Sequence, residues 1–173
     1  TPSQSTIVGD IEADTTDTVF SLTTDGTNLW LLTVDDSAST DFYKCASCAS
    51  SSTWSSQTSP WTGQTNLTSA TIMYDSTNSD LYAMVIKDSS EQAYYKSTDA
   101  TTISWTGETS FGFTAGNLGH ISSPQEGAGT SQIGVVVREG TNYEFSIIPE
   151  YAWLWFGLAP FLPLFVRRRW SIV

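Results

Sequence analysis

Cys45-Ala-Ser-Cys48 has the spacing used by redox enzymes and by half of a zinc site. Zinc needs two further ligands, and the chain has a single histidine, His120. Outside the cytoplasm the same spacing closes a local disulfide at a hairpin tip, and we expect that bond between Cys45 and Cys48. No metal or cofactor is expected. The carboxylates Asp35, Asp36, Asp75, Asp80, Asp88 and Asp99 fall mostly in turn-like stretches. Asp75-Ser-Thr-Asn78-Ser-Asp80 gathers oxygens, yet its spacing differs from that of a calcium-binding loop. Thr1 has the chemistry of an N-terminal nucleophile, but Pro2 follows it and the first basic residue is Lys44. Trp30, Trp54, Trp61 and Trp105 could offer a stacking platform to a glycan partner; the other reading is packing between repeats. Asn66-Leu-Thr68 is a lone glycosylation sequon.

The elements that must position these residues are short. Val19–Leu22, Leu29–Val34, Ala70–Tyr74, Leu81–Ile86 and Gln132–Val137 are apolar, rich in β-formers and bounded by turn residues. Asp25-Gly-Thr-Asn28, Asp75-Ser-Thr-Asn78 and Glu139-Gly-Thr-Asn142 supply the turn chemistry. No apolar stripe of helical period precedes residue 147, so an all-β body is expected.

The strands repeat. Leu29, Lys44 and Trp54 recur as Leu81, Lys96 and Trp105, at offsets of 52, 52 and 51 residues. A third, shorter copy starts near Gly129, places Ile133 another 52 residues on, and ends at Tyr143-Glu-Phe145. A period near 50 with several strands per copy is the pattern of propeller blades. The expected units are an extended lead-in over residues 1–18 and repeats over 19–68, 69–120 and 121–146. That makes about two and a half propeller-like blades of antiparallel strands, or a sandwich. A closed ring needs about four blades or more, so subunits or further chain must complete it.

Ser97-Thr-Asp99-Ala-Thr-Thr-Ile-Ser104-Trp105 resembles the Asp-box of sialidase-like propellers, Ser-x-Asp-x-Gly-x-Thr-Trp, with one extra residue and no glycine. The resemblance implies a structural hairpin in which Asp99 binds backbone amides and Trp105 packs between blades. A sialidase-type hydrolase also needs an arginine cluster, and Arg138 is the one arginine before residue 167. Catalysis of that type is therefore not expected within this chain.

Residues 147–166 carry one charge, Glu150, and Arg167, Arg168 and Arg169 follow. Twenty residues at about 1.5 Å each match a hydrocarbon core of about 30 Å. Pro149 and Glu150 suit a first helical turn, and Trp153 and Trp155 an interfacial belt, while Pro160 and Pro163 each remove a helix hydrogen bond. The expectation is a transmembrane helix with its basic stop over residues 147–169 and a cytoplasmic tail over 170–173. This tail resembles the PEP-CTERM type of sorting anchor on prokaryotic surface proteins, without the second proline of that motif.

Net charge is −11, and three of the seven basic residues sit in the tail. Four basic against eighteen acidic residues leave residues 1–150 at −14, which repels nucleic acid. The start at Thr1 fits a removed signal peptide or the C-terminal piece of a longer precursor. The expected protein is therefore non-enzymatic and held at the cell membrane with its body outside. It would be an accessory subunit whose partners are other subunits, its own copies or a glycan. The alternatives are the C-terminal fragment of a sialidase-like hydrolase and a structural envelope or filament subunit.

Overall fold

The computed structural model describes residues 19–34, 40–46, 48, 54–64, 66–87, 92–113, 118–124, 126–127 and 132–149. They form three antiparallel sheets and no helix. The first sheet is a meander of β1 (Val19–Thr24), β2 (Leu29–Val34), β3 (Thr40–Cys45) and β4 (Trp54–Gln57). The second repeats it with β5 (Leu67–Asp75), β6 (Asp80–Lys87), β7 (Gln92–Asp99) and β8 (Thr109–Ser110). Its β5 edge also carries the two-residue parallel strand β10 (Glu126–Gly127). The third sheet runs β9 (Leu118–Ser122), β11 (Gln132–Glu139), β12 (Asn142–Pro149).

The middle sheet is covered on both faces, which explains its uninterrupted apolar run. Along β6, Leu81, Ala83 and Val85 enter a core with Trp30, Leu32, Phe42 and Ile72 of the first two sheets. Tyr82, Met84 and Ile86 enter a second core with Val135, Val137, Leu118 and Ile121 of the third. A strand buried on both sides has no polar face to alternate with. The stacking is compatible with successive blades or with a layered sandwich.

The hairpin turns are built from their aspartates. Asp25 accepts the amides of Thr27 (2.8 Å) and Asn28 (2.6 Å), and Gly26 takes φ +85°. Asp75 does the same for Thr77 (2.9 Å) and Asn78 (3.3 Å). Burial raises the Asp25 pKa, but the Asn28 and Thr27 hydrogen bonds outweigh it and hold the carboxyl below its ordinary value.

Two expectations are corrected. Ile147, Ile148 and Pro149 do not begin a helix: they continue β12, opposite Gly134, Ile133 and Gln132. The β-branched pair has a neighbouring strand to join, and a proline is tolerated at the end of an edge strand. The third unit also starts at Leu118 rather than 121 and reaches Pro149 rather than 146. Residues 1–18 and the anchor residues Glu150, Trp153, Trp155, Pro160, Pro163, Arg167, Arg168 and Arg169 lie outside the described residues. Among the described residues no helix is long and apolar enough to cross a membrane.

Asp80 faces Asp75 on one side and Asp99 on the other. Burial, then these two charges, raises its pKa. A carboxyl raised on folding contributes stability below its unfolded pKa and loses it as pH rises through the folded one. At neutral pH the Asp80 charge is therefore destabilising. Asp80→Asn should stabilise the protein by about 0.5 kcal/mol at pH 7, the usual scale for like charges placed opposite each other. Thermal melts should show the gain shrinking toward pH 3.8, the ordinary aspartate value; a loss of stability at pH 7 would contradict this account.

Candidate docking face

Among the described residues, the cysteine pair, the Asp75 and Asp99 turns and the Trp105 hairpin read from the sequence are engaged in holding the fold. Cys45 and Cys48 are joined by a disulfide, with Cα atoms 5.5 Å apart, at the end of β3. Asp99 accepts the Thr101 amide at 2.6 Å and the Thr102 amide at 3.4 Å, fixing the hairpin after β7. Ser97 donates its amide to Thr106 Oγ1 (3.0 Å), and Trp105 stands edge-on to Phe42 with centroids 5.3 Å apart. Trp30 and Trp61 are 0% and 2% exposed, so neither can stack on a sugar; Trp54 and Trp105 are half-buried. Asn66 is half-buried immediately before β5. Asp35, Asp36 and Asp88 lie outside the described residues.

A second cluster, absent from the sequence reading, centres on Glu108. It accepts from Lys87 Nζ (2.6 Å) and Trp61 Nε1 (2.8 Å). Burial raises its pKa, yet the Lys87 and Trp61 hydrogen bonds prevail and lower it overall. Lys96 Nζ donates to Pro60 O (2.7 Å) and lies 5.2 Å from the Trp61 ring centre. These contacts tie the segment after β4 to the middle sheet. They leave Glu108 stabilised as the anion, opposite to what a proton donor at neutral pH requires.

The sheets are also linked by hydroxyl rungs. Ser21 Oγ accepts from the Ile72 amide (3.1 Å) and Thr23 Oγ1 from the Tyr74 amide (3.0 Å). One sheet further on, Ser69 Oγ accepts from the Ile121 amide (3.2 Å), and the Thr71 and Ser123 hydroxyls meet at 3.0 Å. The edge of β9, and that of β5 outside its short pairing with β10, would otherwise carry buried, unpaired N–H groups. Each hydroxyl reaches the strand about 51 residues later, so the stacking has a direction.

That direction ends on an open face. Val135 and Val137 point into the second core, while Val136 on the other side of β11 is 39% exposed. Beside it on β12, Tyr143, Phe145 and Ile147 are 69%, 50% and 38% exposed. Strand register places Ser122 and His120 of β9 and Arg138 of β11 on the same side. Gly134 makes room for the aromatic: an added Cβ would meet the Phe145 ring at 2.9 Å. Gly119 does so for the Arg138 guanidinium, at 2.6 Å. The face is apolar along β11 and β12, basic at one end, and carries the Ser122 hydroxyl on the edge strand β9.

No protein-family model matches the chain, and no curated protein matches it. Among solved structures it is similar to an exo-β-1,3-galactanase from Phanerochaete chrysosporium, crystallised with β-1,3-galactotriose. The identity is 14% and the TM-score 0.49, with 75% of this chain covered. The chain spans 34% of the length of that protein.

Proposed function

We propose that this is a non-enzymatic β-repeat protein of the cell surface. Its sheets act as successive propeller-like blades, and the open face of the third docks another protein subunit. One observation carries the reading: Val136, Tyr143, Phe145 and Ile147 lie exposed side by side, where the corresponding side of the second sheet is buried. Covering several hundred Å² of such surface contributes on the order of 10 kcal/mol at about 25 cal/mol per Å². Association entropy takes back a large part of that. A contiguous apolar patch of this kind marks an interaction surface rather than ordinary exposed hydrophobes. The carboxylates support a binding role, because Asp25, Asp75 and Asp99 bind the amides of their own turns and Glu108 pairs with Lys87.

Attachment to the membrane belongs to the same proposal, through the apolar segment after Pro149 and its arginine triplet. A photo-crosslinking side chain in place of Tyr143, used in intact cells, should give a covalent adduct well above 18.9 kDa. Irradiation that yields only the single chain overturns the docking role. In the same cells, added protease should cut residues 19–149 while a tag after Val173 stays protected. A protected body would reverse the orientation.

A further inference from the structure

We propose that the occupant of the open face is a second copy of this chain, bound head to tail, so that two copies close a ring of six sheets. The inference rests on the docking role above and names its partner.

The rungs give the polarity. At the head of the stack, Ser122 is exposed on β9, on the same side as Val136, its register partner. By the 52-residue offset Val136 corresponds to Met84 and Leu32, so Ser122 occupies the position of their register partners Thr71 and Ser21, whose hydroxyls reach the next sheet. At the tail, the matching acceptor-seeking amides can be located from the turns. Ile72 and Tyr74 precede Asp75 by three residues and one, and Leu22 and Thr24 precede Asp25 by the same spacing. The amides of Ile72 and Tyr74 are met by hydroxyls. Those of Leu22 and Thr24 meet none among the described residues, because β1 is the edge of its sheet. The tail therefore lacks what the head presents.

Shape and charge agree. Phe20, on the side of β1 away from the second sheet, is 72% exposed. Leu31 and Tyr43 on that side are covered (5% and 7% exposed), so the strip left open runs along β1. Asp41 stands two strands from Phe20 in the same register row and is half-exposed, opposite in sign to Arg138 at the head. An interface that joins different surfaces of identical chains either closes or grows into a filament. Blade rings hold about four to eight sheets. One copy has three, two copies give six, and three would exceed that range.

The full chain, solubilised in detergent with the detergent mass subtracted, should scatter as twice 18.9 kDa. Phe145→Asp and Phe20→Asp should each return it to a single copy. Because both native cysteines are bonded, introduced thiols report alone. Ser122→Cys in one tagged copy and Leu22→Cys in another should join through a short bismaleimide, while either variant alone should not. Joining of two Ser122→Cys copies, a single-copy mass, or a mass growing past two copies overturns the closed head-to-tail pair. The two cysteine variants lie on exposed or half-exposed surface and keep the test valid if an aspartate variant unfolds. A single-copy mass together with an adduct of the Tyr143 probe to a different polypeptide rejects self-assembly and leaves the docking role standing. The absence of any adduct rejects both.

Discussion

Phe42→Ala is expected to lower stability by about 3–5 kcal/mol, the range for emptying an aromatic site in a packed core. Phe42 is 1% exposed and stacks on Trp30 with centroids 5.7 Å apart and ring planes 9° apart. Its edge meets Trp105 from the hairpin after β7. The ring therefore joins the first sheet to the second through a contact that neither makes alone. Removing it leaves a void between two indoles that are held elsewhere: Trp105 by the Thr58 carbonyl at 2.8 Å, and Trp30 by its strand pairing. Collapse into the void is restricted, which places the cost in the upper half of the range. Whole domains are stable by about 5–15 kcal/mol, so the variant should be close to unfolding at 37 °C. Phe42→Leu refills most of the space and should cost about 1.5 kcal/mol or less. Denaturant melts followed by tryptophan emission will compare the three proteins. Equal midpoints for wild type and Phe42→Ala would mean that the aromatic cluster does not couple the sheets.

That cluster shows what the sequence can and cannot reveal. Trp30 and Trp105 stand out by type, Trp105 also recurs at the position of Trp54, and the 52-residue offset matches β2 to β6 as the second strand of each meander. The strands that were easy to read are those with one dominant environment: Leu29–Val34 and Leu81–Ile86 are apolar throughout because both sides are covered. Trp54–Gln57 and Thr109–Ser110 are polar edge strands whose pairing comes from the neighbour, so no apolar alternation announces them. Ile147-Ile148-Pro149 misled for a physical reason. An apolar pair beside a longer apolar run satisfies both a helix and a strand, and only the presence of β11 decides between them.

The candidate site was hidden more thoroughly. Val135-Val136-Val137 reads as a strand buried on both sides, and nothing local distinguishes the exposed Val136 from its covered neighbours. The hydroxyl rungs were invisible as well, because Ser and Thr are abundant along the whole chain. Their spacing near 51 residues was available, but it acquires meaning only once β1, β5 and β9 are known to lie side by side. The aspartate turns were legible because the Asp-x-Thr-Asn pattern carries its own hydrogen bonds within four residues. Local chemistry is readable from sequence in this chain, and of these contacts between sheets only the packing of Trp105 was.

Thr23→Val isolates one such contact, and a loss of about 1–3 kcal/mol is expected. Thr23 is 1% exposed, and its hydroxyl accepts the Tyr74 amide at 3.0 Å. Valine keeps the volume and the β-branch but has no acceptor, so the Tyr74 amide loses its hydroxyl partner with little room for water. The cost is that of an orphaned donor rather than of lost packing. Thr23→Ser keeps the oxygen and should recover most of the stability. Thr109→Val, at an exposed position on β8, should change it by no more than about 0.5 kcal/mol. Native-state hydrogen exchange gives the site-specific reading: the Tyr74 amide should lose protection in Thr23→Val while amides in the centre of β6 keep theirs. If Thr23→Val matches Thr23→Ser in both stability and exchange, the rung is only proximity. In that case the open Ser122 at the head of the stack loses its significance as a docking group too.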